Sequence, residues 1–303
     1  MSNLAFYAGQ AFNGLSLASI LLLAALGLAL SFGLMRVINM AHGEMLMLGG
    51  YAAFLAQSWV PGGASLWLAL PLAFVLTAGI GALLEMTIIR RLYGRPLDTL
   101  LATWGVSLVL QQAVRNIFGP LGVEFLAPNW LSGAFRVTDG ALAGLAFPYV
   151  RIFVIALAVV VLVALLLILR RTRIGMYVRA VNQNREMASA LGVNTRMVDM
   201  TVFALGSGIA GLAGAALAMI APVTPTVGLS YIVDAFLVVI LGGIGSIVGA
   251  VMAATSLGFL SAFAESFTSV SFAKVLLLVF TVAFLQLRPS GFMVTRSRAL
   301  EEA

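Results

Sequence analysis

The chain has no cysteine among its 303 residues, which excludes disulfides, thiolate metal ligands and cysteine nucleophiles. It has a single histidine, His42, and no spacing of ligand residues that reads as a metal site. An acid/base enzyme built on His42 and Glu44 therefore has little to stand on, and no cofactor is expected. Charge is scarce as well: 9% of residues are charged and 62% are hydrophobic, where soluble domains carry about 25% charged residues. With a mean hydropathy of +1.09, this is an integral membrane protein. The long apolar runs lack the period-two alternation of barrel strands, so the spans are helices. The opening MSNLAFYAGQAFNGL lacks the basic segment of a signal peptide, and the first span is expected to be retained.

What is present is a series of apolar stretches of near-bilayer length, at about 14–34, 37–59, 66–89, 98–118, 148–169, 199–221, 230–246, 248–266 and 271–288. Several are broken by glycine, so the expected fold is an all-α polytopic helical bundle of 8–9 transmembrane helices with broken or re-entrant segments. It forms one domain over 1–303. Arginines gather at Arg90, Arg91 and Arg95, from Arg170 to Arg196, and at Arg288, Arg296 and Arg298. Nine spans with the N-terminus outside and the C-terminus cytoplasmic put every cluster on the cytoplasmic side. The formal charge of +6 is thus spent at span ends and anionic headgroups, with no nucleic acid partner implied.

The one long polar segment, about 170–198, should be cytoplasmic. Asn184 can cap a short helix, Glu186 lies where the helix dipole favours a carboxylate, and Gly192 can take a left-handed stop. Met187, Ala188 and Leu191 are spaced to share a face. Asn194 and Thr195 offer a second cap for the returning helix. An ordinary solvated basic loop with one helical turn is the simpler account. The long outward segment, about 119–147, has the Pro, Gly and Trp content of an ordered loop.

Polar groups within the spans are expensive and mark candidate function. Asn39, His42 and Glu44 share no helical stripe, and Gly43 allows a break among them. Two readings stay open: His42 and Glu44 satisfy each other and nearby carbonyls as a structural lock, or all three line a substrate path. Thr103, Trp104, Gln111 and Arg115 make a polar region in the fourth span suited to a small hydrogen-bonding solute. Asp234 sits near the outer end of the seventh span, favouring its N-terminus or meeting substrate. Glu265 and Lys274 read as interfacial, snorkelling charges. Gly206, Ala210, Gly214 and Ala218 recur every four residues as a packing seam. The run Gly242, Gly243, Gly245, Ser246 and Gly249 lacks the Lys-Ser/Thr of a phosphate cradle. It reads as a break whose freed backbone groups line a cavity.

The pattern Glu186, Met187, Ala188, then Gly192 resembles the cytoplasmic "EAA, three residues, Gly" loop of ABC importer membrane subunits, with Met for the first Ala and without the later Ile-x-Leu-Pro. GLMRVINMAHGEMLMLGGY, DTLLATWGVSLVLQQAVRNIFG, NWLSG, RTRIGMYVRAVNQNREMASALGVNTRMVDM, ALGSGIAGLAGAALA and YIVDAFLVVILGGIGSIVGA resemble the permeases of branched-chain amino acid and urea ABC importers over most of the chain. TWGVSL, VRAVNQNR and YIVDAFLVV look most like the urea branch. The resemblance implies an inner-membrane permease carrying urea or a related small amide, with branched-chain amino acids or a passive channel as the alternatives. It implies a second homologous permease, two ATP-binding subunits and a periplasmic solute-binding protein as partners. The ATPase-coupling residues would be Arg179, Asn184, Glu186, Met187, Ala188, Leu191 and Gly192, and the substrate pathway Asn39, His42, Glu44, Thr103, Trp104, Gln111 and Asp234.

Overall fold

The computed structural model describes residues 3–35, 37–138 and 144–293. Arg296 and Arg298, two of the arginines from which orientation was read, lie outside the described residues. The helices are α1 (Asn3–Met35), α2 (His42–Trp59), α3 (Ser65–Thr87), α4 (Pro96–Phe118), α5 (Tyr149–Arg171), α6 (Arg173–Gln183), α7 (Arg185–Ala190), α8 (Thr195–Ala218), α9 (Val227–Gly242), α10 (Ile247–Phe267) and α11 (Val270–Leu287). The protein is an all-α polytopic membrane bundle. Six helices, α1, α3, α5, α8, α10 and α11, are each long and apolar enough to cross a bilayer. Helix α9 is apolar but shorter, while α2 and α4 carry the polar residues discussed below.

Helices α1 and α8 form the centre. Helix α8 packs along α1, α2 and α3, and α1 also packs against α10, α9 and α5. The close approach is made by the small-residue seam. A Cβ on Gly214 would fall inside the Leu46 carbonyl of α2, and Gly206 and Gly27 of α1 each occupy the space the other's side chain would need. Gly211 leaves room for Ala73 and Thr77 of α3. Helix backbones in lipid associate by such contact, because apolar burial gains little there. Gly214→Leu is therefore expected to separate α8 from α2 at a cost of about 3 kcal/mol or more. The check is the midpoint of thermal unfolding in detergent, where an unchanged value would contradict the seam.

The breaks differ in detail from expectation. Helix α1 starts at Asn3 instead of about residue 14, its aromatic start packing against the end of α10 through Phe6–Phe267 and Tyr7–Phe263. The second span is helical only from His42, and residues 37–39 ahead of it are irregular. The His42 ring meets the Ala24 carbonyl, about three turns or 16 Å before the end of α1, so α2 begins at mid-bundle. The break precedes Gly43. Gly43 itself lies within α2 and allows contact with Gly228: each glycine's backbone fills the space of the other's missing side chain. Helix α9 thus starts beside α2 and runs back to the end of α1, where Gly245 lies against Gly33. Because α9 starts at Val227, Asp234 is two turns in rather than one.

The glycine run is a break, as expected, and the carbonyls at its start are bonded within the protein. The Leu241 and Gly242 carbonyls accept from the Phe292 and Met293 amides at 2.8 and 3.2 Å, and the Ser246 hydroxyl accepts from the Gly249 amide to cap α10. At the opposite end, the segment after α4 is ordered by a short hairpin, β1 (Ala134–Arg136) against β2 (Ala146–Pro148). Val123 and Val223 exchange backbone hydrogen bonds at 3.0 and 2.9 Å, and Gln57 clamps the Leu126 backbone from both sides. Trp130 stacks on Trp67.

Candidate functional site

Two polar assemblies stand out, one at mid-bundle and one at the arginine-rich end. The first is built by a ladder on α4. Thr99, Thr103, Ser107 and Gln111 recur every four residues, share one face and are all buried. The Thr103 hydroxyl accepts from the Met40 amide at 3.0 Å, holding the irregular segment before α2. Glu44 Oε1 accepts from Ser107 Oγ at 2.9 Å and from Gln111 Nε2 at 2.7 Å.

Glu44 is 1% exposed and lies in the first turn of α2. Its carboxyl carbon is 2.9 Å from where a Cβ on Gly228, in the first turn of α9, would stand. Its carboxyl group thus sits at the starts of two helices, with two donors on one oxygen, which offsets part of the cost of burying it. Among the described residues its other oxygen, Oε2, has no hydrogen-bond partner, and neither has Asn39 Nδ2. Asn39 Oδ1 is used by the Ala41 amide at 3.1 Å.

His42 does not pair with Glu44. Its Nε2–H donates to the Ala24 carbonyl at 3.0 Å, while the ring fills the space left by the absent side chain of Gly27. The mutual lock fails because positions two apart in the first turn of α2 do not face each other, so His42 is aimed at α1 and Glu44 at α4. Trp104 is exposed, off the ladder, and Arg115 is exposed one turn beyond Gln111. Asp234 stands apart from the ladder's contacts. It pairs with Lys274 of α11 at 3.3 Å, and Lys274 also reaches the Ser230 carbonyl and the Tyr231 ring. Lys274 thus turns across to α9, since a carboxylate on the neighbouring helix offers more than the bilayer surface. Glu265 accepts from Ser261 Oγ at 2.8 Å.

At the arginine-rich end the expected caps form. Asn184 Oδ1 accepts from the Met187 amide at 2.9 Å and Asn194 Oδ1 from the Met197 amide at 3.1 Å. Gly192 has φ +86°. The Gly192 amide donates to Ser189 and the Val193 amide to Ala188, each at 3.0 Å, the paired bonds of a left-handed helix stop. Met187 and Leu191 are exposed, Leu191 at 78%, whereas Ala188 is buried, so Ala188 faces the protein and not the face of the other two. Glu186 is exposed beside them. Arg179 bonds the Leu169 carbonyl at the end of α5, a tie within the segment.

Sequence reasoning missed α6, an amphipathic helix capped by Thr172. Tyr177 of α6, with Leu191, Met197 and Val198, lines a groove of about 330 Å³. It also missed Arg185, which meets Asp199 of α8 through both guanidinium nitrogens. The same guanidinium lies 5.3 Å over the Tyr93 ring. Tyr93 donates to Glu85 Oε1 at 3.0 Å, and Arg90 pairs with Glu85 at 2.8 Å. Burial, with the Asp199 and Glu85 carboxylates nearby, pushes the Tyr93 phenol up, so it stays a donor.

A many-helix membrane protein with helices broken at mid-bundle, buried polar groups there and a capped helical segment outside the spans has the build of a solute transporter. The chain belongs to the family described as "Branched-chain amino acid transport system / permease component", whose model matches residues 10–285. It is similar to the high-affinity branched-chain amino acid transport system permease protein BraD of Pseudomonas aeruginosa, at 30% identity over 97% of both chains. The corresponding protein LivH of Escherichia coli strain K12 is 28% identical over 95% of this chain and 96% of its own. The ribose import permease protein RbsC of Escherichia coli strain K12 is 29% identical over 84% of this chain and 78% of its own. No solved structure matches. The chain is a permease component and not itself an enzyme. These names carry branched-chain amino acids and ribose, and give the urea branch no support.

Proposed function

We propose that this chain is a membrane-spanning subunit of an ATP-driven importer for branched-chain amino acids in a bacterial inner membrane. In this reading 1–303 is one permease domain, with the N-terminus outside and the C-terminus cytoplasmic, as the arginine clusters favour. It works beside a second homologous permease, two ATP-binding subunits on the α6–α7 side and a periplasmic solute-binding protein on the hairpin side. The observation that carries the reading is α7: a short helix with a side-chain cap and a glycine stop, its Met187 and Leu191 bare of any cover. Exposed apolar side chains on a rigid polar segment suit a docking helix for a soluble partner.

The pathway would pass where α2 and α9 meet. Asn39, Glu44, Thr103 and Gln111 gather there, and the Gly43–Gly228 contact closes the route in this conformation. His42 holds α2 to α1 as a wall. Asp234 and Lys274 offer a carboxylate and an ammonium, a pair that matches the two charges of an amino acid better than neutral urea. Closure of the ATP-binding subunits would draw on α7 and part the two helix starts.

The substrate is tested in vesicles holding the whole transporter. Uptake of labelled leucine is expected to need ATP and to be competed by isoleucine and valine but not by urea. Urea uptake untouched by leucine would overturn the substrate and keep the permease, while uptake without ATP would hand the protein to the channel reading.

A further inference from the structure

The joint between α7 and the membrane helices can be named residue by residue. Arg185 is the first residue of α7, next to Glu186 on the docking helix. Its guanidinium pairs with Asp199 in the opening turns of α8 and covers Tyr93 in the link between α3 and α4. Tyr93 in turn holds Glu85 in the last turn of α3, which Arg90 neutralises. The side chains of Asp199 and Glu85 are 4% and 0% exposed, whereas Arg185 is 46% exposed. One cation at the root of the docking helix thus grips α8 directly, through the buried Asp199 carboxylate, and reaches α3 through the Tyr93 ring and the buried Glu85 it holds. Those two helices also run together: Gly81 of α3 leaves room for Ser207 of α8.

We propose that Arg185 is a positioning residue that carries the movement of α7 to α8 and α3 as one unit, with Tyr93 as the hinge plate between them. The proposal rests on the reading of α7 as the docking helix. A planar guanidinium suits the task, because it bonds a carboxylate through two nitrogens and stacks on a ring at once. Exposed Met187 and Leu191 would hold the partner; Arg185 would transmit the pull. Docking and transmission are then separable.

The test measures assembly, ATP hydrolysis and substrate uptake on the complete transporter in proteoliposomes. Arg185→Gln is expected to keep the ATP-binding subunits bound and ATP hydrolysis within about twofold, while uptake falls about tenfold or more. ATP consumed per substrate carried then rises about tenfold. Tyr93→Leu, which removes the ring and leaves the ion pair, is expected to raise that ratio too, and Arg185→Lys to fall between. Leu191→Glu is the control for docking and is expected to release the ATP-binding subunits. If Leu191→Glu leaves the complex assembled and active, the docking reading fails. If Leu191→Glu behaves as expected but Arg185→Gln keeps the normal ratio, or itself releases the ATP-binding subunits, the transmission role is overturned. Should Arg185→Gln not reach the membrane, a normal ratio for Tyr93→Leu overturns it equally.

Discussion

Glu186→Lys and Gly192→Pro are each expected to reduce ATP-dependent uptake to background while membrane insertion stays normal. Glu186 sits in the first turn of α7, where a carboxylate favours the helix start and a lysine opposes it. The exposed side chain is also part of the surface presented beside Met187 and Leu191. At Gly192 the chain turns with φ +86° and its amide donates to the Ser189 carbonyl. Proline is locked near −65° and has no amide hydrogen, so the stop is lost at a cost of about 3 kcal/mol or more. The damage stays local, because among the described residues nothing beyond its chain neighbours lies within 4 Å of a Cβ at residue 192. Insertion is read by membrane fractionation and uptake by labelled substrate. Transport that survives both changes at normal protein levels would contradict the docking role of α7.

The second large effect belongs to Glu44. Glu44→Ala leaves the Ser107 hydroxyl buried without its acceptor and the Gln111 amide with only its 3.1 Å bond to Ser107 Oγ, a loss of about 2 kcal/mol or more. Thermal stability in detergent should fall and uptake with it. Glu44→Gln is the sharper variant, since its amide oxygen can still accept from both donors. It is expected to melt like the wild type and to carry substrate about tenfold more slowly, because the unpartnered Oε2 is then replaced by an amide nitrogen. Normal uptake by Glu44→Gln would make Glu44 a brace between α2 and α4 and remove it from the pathway.

The residues legible in the sequence were those whose partners are near in the chain. Asn184, Glu186, Gly192 and Asn194 announce caps and a stop because each acts on a backbone group within a few residues. The seam of Gly206, Ala210, Gly214 and Ala218 is equally local in its period, and it packs as expected. On α4, Thr103 and Gln111 were singled out, but the four-residue spacing that also includes Thr99 and Ser107 was the fuller signal. Arg185, Asp199, Tyr93 and Glu85 were missed because their meeting depends on which helices become neighbours. A charge among eleven acidic and seventeen basic residues carries no mark of its partner. The start of α1 was set too late because Asn3, Gln10 and Asn13 dilute its hydropathy, although Asn13 is used by Arg151 of α5 at 2.9 Å. The pairing of His42 with Glu44 failed for the same reason as the ion cluster: nearness in sequence gave no direction to the side chains.

The most direct test of the central claim uses the absence of cysteine. Leu191→Cys gives the chain a single thiol, on the exposed face next to the stop of α7, to which a photoactivatable thiol reagent can be attached in the assembled transporter. The account predicts a light-dependent adduct between this chain and an ATP-binding subunit, and none when the same reagent is carried by Trp59→Cys at the opposite end of the bundle. An adduct from Trp59→Cys, or none from Leu191→Cys in a complex that still transports, would contradict it.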